Sequence, residues 1–185
     1  MIYNGETLRD RPRLNVLEGW HGNEPQGLTK IAAPAAGEGI KSGMAIVLNV
    51  QGEWEKATDP TADAPVFYAF QDQTDVDVVN SGVLLGLSSL GVYKLETAQF
   101  EADAVFTEGN PVTVSDVVGQ EGRIAPTTWG SGDVVVGVCD KVVEDLGPTY
   151  SEAYFKPGVD NTSVNLNVVT ISTKFDPLNG AVGAS

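Results

Sequence analysis

Between residues 36 and 148 the chain repeats one pattern, in which a short apolar run is followed by a turn that contains glycine. Strands of four to eight residues separated by turn residues are typical of small antiparallel β proteins. Glycine makes up 21 of the 185 residues, above the average of about 7%, and it suits tight turns because it adopts positive φ without strain. We therefore predict an all-β fold, a small antiparallel β-barrel or sandwich with extended N- and C-terminal arms. The predicted strands include residues 44–48, 66–70, 83–85, 92–95, 112–114 and 134–136.

The segments on either side of this body differ from it. Residues 1–35 are interrupted by glycine and proline, and we interpret them as an extended N-terminal docking arm. Residues 149–185 are interpreted as a C-terminal arm with one strand, because residues 163–173 alternate polar and apolar side chains. That strand either completes the sheet of its own chain or adds to the edge of another. Within the body, Pro111 fits only at the start of a strand or on an edge strand.

The formal net charge of −14 comes from the part of the chain that follows Lys30. Segment 1–30 holds four basic and four acidic side chains, whereas the rest of the chain holds seven basic and 21 acidic ones. An acidic body repels the phosphates of nucleic acids, so we expect no nucleic-acid partner. Solubility alone accounts for such acidity in many proteins; the functional interpretation is an acidic outer face with a neutral arm that docks on another protein.

Residues suited to nucleophilic catalysis are scarce. The single histidine, His21, lies in a glycine-flanked turn of the predicted arm, and we interpret it as a surface or interface residue. The single cysteine, Cys139, follows an apolar run and is expected to be buried. Residues 86–91 have nearly the Gly-x-Ser-x-Gly spacing of a nucleophile elbow, but the spacing fails by one residue. We predict that the protein is not an enzyme and that it uses no cofactor.

One acidic stretch is a weak candidate for calcium. Asp72, Asp75 and Asp77 supply clustered carboxylates, the ligand type that Ca²⁺ prefers. The spacing, the central glycine and the closing glutamate of an EF-hand are missing. We therefore predict no metal site and favour a solvated acidic loop.

Targeting features are also lacking in the sequence. The segment Met1–Asn15 carries three arginines and no apolar stretch of the kind found in signal peptides. No run approaches the roughly 18 consecutive apolar residues of a membrane-spanning helix. We expect synthesis in the cytoplasm and no membrane partner.

The succession of strands and turns in the body resembles that of a known family. Its phrases are GIKSGMAIVL at 39–48, VFYAFQD at 66–72, GLSSLGVYKLET at 86–97, TEGNPVTV at 107–114 and GDVVVGV at 132–138. This rhythm is similar to that of the decoration, or cement, proteins on the heads of tailed bacteriophages.

That resemblance implies a structural virion protein on the outer surface of the capsid. It implies the major capsid protein as a partner and a homo-oligomer, with a trimer as the expected form. For the capsid contact we select Arg9, Arg11, Arg13 and Trp20, because arginine offers forked donors and tryptophan an apolar anchor. Two alternatives remain: a tail- or fibre-associated β module, and a carbohydrate-binding module, which would expose aromatic side chains on one sheet face.

Overall fold

The computed structural model describes residues 15–18, 29–58, 65–90, 93–145 and 167–173. This part of the chain contains eleven strands and one short helix, which confirms the prediction of an all-β fold. The strands form two antiparallel sheets that pack together in the manner of a sandwich.

The first sheet has five strands in the order β2-β6-β5-β3-β4. Between β5 and β6 the chain forms the helix α1, Val76–Ser81. The strands are β2 (Thr29–Ala32), β3 (Ala45–Leu48), β4 (Trp54–Lys56), β5 (Phe67–Ala69) and β6 (Leu84–Ser88).

The second sheet has six strands in the order β1-β7-β11-β10-β8-β9. They are β1 (Asn15–Glu18), β7 (Lys94–Thr97), β8 (Pro111–Val114), β9 (Ile124–Pro126), β10 (Gly137–Asp145) and β11 (Asn167–Ser172).

In each sheet, the edge strand at one end is also hydrogen-bonded to residues that follow another strand of the same sheet. Past β2, Trp54 donates its backbone N–H to Ala33 and accepts one from Ala35, both at 2.8 Å. Past β7, Ile124 likewise donates to Gln99 at 3.1 Å and accepts from Glu101 at 2.8 Å. The backbone of the last strand in each sheet is therefore paired with the continuation of an early strand.

The two sheets are built on the same plan. If β2–β6 are numbered one to five, the spatial order is 1-5-4-2-3, and β7–β11 numbered in the same way also give 1-5-4-2-3. In both, a parallel bridge links the continuation of strand one to strand three. We call β2–β6 the N-terminal unit and β7–β11 the C-terminal unit; β1 is an additional strand on β7.

Individual hydrogen bonds repeat between the two units. Gly43 donates its N–H to Ala69 at 2.8 Å, and Gly109 donates to Cys139 at 2.8 Å. Both glycines have a φ of 83°, a conformation that side-chain-bearing residues rarely adopt. Ala69 and Cys139 donate in turn to the residues that follow these glycines, each at 2.8 Å. The chain therefore contains a structural duplication.

The equivalent core positions hold different residues. Ala69 pairs with Gly86 in the N-terminal unit, and Cys139 pairs with Ile171 in the C-terminal unit, so Gly86 and Ile171 are equivalent. The bridging positions are Trp54 in one unit and Ile124 in the other. At these two positions the N-terminal unit thus has tryptophan and glycine, whereas the C-terminal unit has two isoleucines.

The structure extends some sequence predictions and corrects others. The segment predicted as an N-terminal arm contains β1 and β2, which pair with β7 and β6 of the body. The C-terminal strand β11 lies between β7 and β10 in the sheet of its own chain. Pro111 begins β8, as expected. The strand predicted at 134–136 was wrong by a few residues, because β10 begins only at Gly137.

Candidate docking surface

The residues selected for a capsid contact are not placed by the structure. Arg9, Arg11, Arg13 and Trp20 lie outside the described residues, as does His21. Their role stays a prediction.

The acidic stretch has a structural task that the sequence analysis missed. Asp75 is the N-cap of α1, and its Oδ1 accepts the N–H of Asp77 at 2.8 Å. Asp72 accepts the N–H of Ser42 at 2.7 Å through its own Oδ1. Gly82 ends the helix in the left-handed conformation, and Asp75 and Gly82 together were the available sequence signal. Among the described residues, no three His, Cys, Asp or Glu side chains are arranged to hold a metal ion.

The cysteine is buried, as the sequence predicts. Cys139 is 1% exposed and belongs to the core that the two units share. Burial raises the pKa of its thiol to about 11, and the negative charges of Glu108 and Asp140 act in the same direction. Such a thiol is a poor nucleophile, because the reactive form is the thiolate.

Other perturbed titratable groups serve the fold. Burial raises the pKa of Tyr68, whose hydroxyl donates to the carbonyl of Val136 at 2.9 Å. Hydrogen bonds from the hydroxyls of Thr127 and Ser131 lower the pKa of Asp133, and backbone N–H groups lower that of Glu121. Both carboxylates are exposed in turns that their hydrogen bonds close.

Trp54 does not contribute to an exposed aromatic platform. It is fully buried within the N-terminal unit, and its Nε1 donates to the carbonyl of Leu84 at 2.9 Å. Trp129 lies on a turn and is half-buried.

An open apolar surface lies beside β2. Ile31 of β2 is 61% exposed, and Val83, which precedes the neighbouring strand β6, is 38% exposed. Both line an open groove of about 510 Å³, to which Leu85 adds apolar surface, Gln71, Asn80 and Ser81 add neutral polar groups, and Asp77 adds a carboxylate. We call Ile31, Val83, Leu85 and the outer edge of β2 the β2 surface. Its shape and polarity suit a protein segment that brings its own backbone donors and apolar side chains.

No helix of the described residues is long and apolar enough to cross a membrane. Comparisons of the chain with models of protein families, with curated proteins and with solved structures found no match.

Proposed function

We propose that the protein is a structural virion protein, a decoration protein that binds the outside of a phage head and bridges major capsid subunits. The observation that carries this proposal is the pair of like β units packed over one shared core. A duplicated, densely bonded body is suited to repeated contacts on a lattice of identical subunits. The resemblance of residues 39–138 to phage decoration proteins points in the same direction.

The charge distribution supports the orientation that we propose. The charge of −14 lies in the part of the chain after Lys30, and segment 1–30 is neutral overall. An acidic body facing solvent and a neutral, arginine-bearing N-terminal segment facing the shell would separate the two tasks. We propose no catalytic role, no cofactor and no direct contact with nucleic acid or membrane.

The positions of β1 and β2 determine how the N-terminal segment is tested. Because these strands lie within residues 15–32, a deletion that reaches them would damage the body. The suitable variant is the triple change Arg9→Ala, Arg11→Ala and Arg13→Ala, with Trp20→Ala as a second variant. Lys41→Ala, on an exposed residue of the N-terminal unit, is a matched control for loss of one positive charge.

The experiment is cosedimentation with phage heads that lack the protein, followed by imaging of the decorated heads. We expect the unmodified chain and Lys41→Ala to sediment with the heads, and the arginine and tryptophan variants to bind at least tenfold more weakly. Density inside the shell or on the tail would contradict the proposal, and tail density would favour the tail-associated alternative.

We also propose that the protein is a homo-oligomer. The resemblance implies a trimer, whereas the two-fold contact argued in the next subsection gives a dimer. β11, the strand considered for exchange between chains, is paired on both sides within its own sheet. The contact between copies must therefore use another surface.

A further inference from the structure

The C-terminal unit shows that this fold accepts an added strand at one edge. β1 pairs antiparallel with β7, with Val16 opposite Leu95 and Asn15 opposite Glu96. In the N-terminal unit the equivalent of β7 is β2, the first strand of the plan. The register identifies the equivalent residues. Leu95 of β7 pairs with Ile171, and Lys30 of β2 pairs with Gly86, the residue equivalent to Ile171, so Lys30 is equivalent to Leu95.

The equivalent edge of β2 carries no added strand within the part of the chain that the structure describes. Among the described residues, β2 pairs with β6 alone, along one side, and Ile31 is 61% exposed. The edges of β4 and β9 differ from it, because each is bonded to a continuation of its own chain at Trp54 and Ile124. Unpaired strand edges are templates for pairing with another chain.

We propose that the β2 edge is a strand-acceptor site, and that its occupant is the β2 edge of a second copy in an antiparallel, two-fold contact. The same surface on both partners is the usual arrangement of homodimers. Antiparallel pairing is also the mode in which β1 occupies the equivalent edge.

Charge favours this surface for contact between copies. A chain with a net charge of −14 repels its own copies over most of its surface. β2, however, reads Thr-Lys-Ile-Ala and contains no acidic residue, and the groove beside it is lined by one acidic side chain, Asp77. With the two-fold axis at Ile31, the two Ile31 side chains meet, and each Lys30 faces Ala32 of the other copy instead of the other Lys30.

The contact between the two units cannot extend to further copies in the same way. Within the chain, Ala45 of the N-terminal unit donates its N–H to the carbonyl of Gly122 at 2.7 Å. The equivalent of Ala45 in the C-terminal unit is Pro111. Ala45 pairs with Tyr68, Pro111 pairs with Val138, and Tyr68 and Val138 each directly precede the equivalent residues Ala69 and Cys139. Proline has no N–H to donate. A second copy therefore cannot repeat the contact between the units in a head-to-tail manner, which leaves strand addition at the β2 edge as the contact we propose.

The first test is the mass of the full chain, measured by light scattering over a concentration series. We expect a dimer, and we expect Ile31→Lys to halve the mass while circular dichroism and melting temperature stay unchanged. Val118→Lys is the matched control, since Val118 is 93% exposed on the turn between β8 and β9 of the C-terminal unit. A monomer, a trimer, or an Ile31→Lys variant that remains dimeric would overturn the proposal.

The second test locates the contact by a disulfide. The native cysteine is buried, so an introduced cysteine is the accessible thiol. Facing residues of antiparallel strands have Cα atoms about 4.5–5.5 Å apart, within the range of about 4.4–6.8 Å that a disulfide requires. We expect Ile31→Cys to form a covalent dimer on oxidation, and Lys30→Cys and Val118→Cys to form much less. Equal yields from all three, or none from Ile31→Cys, would contradict the two-fold register. Neither test involves phage heads, so its failure is distinct from failure of the proposed function.

Discussion

The hydroxyl of Tyr68 donates a hydrogen bond to the carbonyl of Val136 at 2.9 Å, and this bond joins the N-terminal unit to the C-terminal unit. Tyr68 is fully buried on β5, and Val136 lies directly before β10. Three further bonds cross the same interface, from Ala45 N to Gly122 O at 2.7 Å, from Gly122 N to Ala57 O at 2.9 Å and from Thr97 Oγ1 to Gly43 O at 3.0 Å. Because these groups are shielded from water, each bond fixes how the units sit against each other.

Removing the Tyr68 hydroxyl should destabilise the protein. Tyr68→Phe keeps the ring but leaves the Val136 carbonyl without this donor in a dry interface, which costs about 1–3 kcal/mol. Urea unfolding should show a lower midpoint with an unchanged slope. Thr128→Ala, on an exposed turn residue, is the control and should change stability by less than about 0.5 kcal/mol. A Tyr68→Phe midpoint equal to that of the unmodified chain would show that the bond contributes nothing to stability.

Tyr68 should also make stability fall at high pH. Burial raises its pKa in the folded state above the ordinary value of 10.0, so the unfolded state loses the proton first as the pH rises. The contribution of Tyr68 is therefore fully present below pH 10 and is lost above it, by up to about 1.4 kcal/mol per pH unit. The difference in unfolding free energy between the unmodified chain and Tyr68→Phe should shrink between pH 9.5 and 11.5. A difference that is constant over this range would contradict burial of the ionisable hydroxyl.

Cys139 should react slowly with thiol reagents in the folded protein. It is 1% exposed, and a pKa of about 11 in place of 9.0 leaves roughly 100-fold less thiolate at pH 8. Labelling should be fast only in guanidinium, where the chain is unfolded. A Val50→Cys variant, with its added thiol on an exposed turn, supplies the comparison within one chain and should label one site quickly and the other slowly. Two equally fast sites would place Cys139 at the surface.

The sequence predicted the class of the fold because class depends on a local pattern. Apolar runs cut by glycine led to β3, β5 and β8 within a residue or two at each end. Pro111 was assigned to a strand start because its missing N–H excludes it from the middle of a ladder. Such properties belong to single residues and their immediate neighbours.

The duplication escaped the sequence analysis because backbone bonds define it. The bonds of Gly43 to Ala69 and of Gly109 to Cys139 have the same geometry, but Ala69 and Cys139 share no side-chain feature beyond small size. The turns that follow β3 and β8 also differ in length, which obscures the period. The sequence signal for the duplication was the pair of glycines Gly43 and Gly109, since both adopt positive φ. The β2 surface could not be predicted either, because it depends on which edge of the sheet stays uncovered.

The pair Trp54 and Gly86 gives a test of how the two units diverged. A Cβ atom on Gly86 would lie 2.9 Å from Cζ2 of Trp54 and 3.1 Å from Cβ of Phe67, closer than such atoms pack. We therefore expect Gly86→Ala to cost about 1–3 kcal/mol through overpacking, measured by thermal or urea unfolding. The C-terminal unit accommodates Ile171 at the position equivalent to Gly86, and the position equivalent to Trp54, on β9, holds Ile124.

The double variant Trp54→Leu, Gly86→Ala separates overpacking from other effects. Trp54→Leu alone should be strongly destabilising, because it leaves a cavity and removes the bond from Nε1 to the carbonyl of Leu84. If the ring is what excludes a side chain at Gly86, then adding the methyl group beside the smaller leucine should cost less than adding it beside tryptophan, or should stabilise the protein. The double-mutant cycle should therefore give a favourable coupling of about 0.5–3 kcal/mol between the two positions. Additive effects would mean that Phe67, and not the ring of Trp54, excludes a side chain at Gly86, and that the exchange of large and small residues between the units has no bearing on their stability.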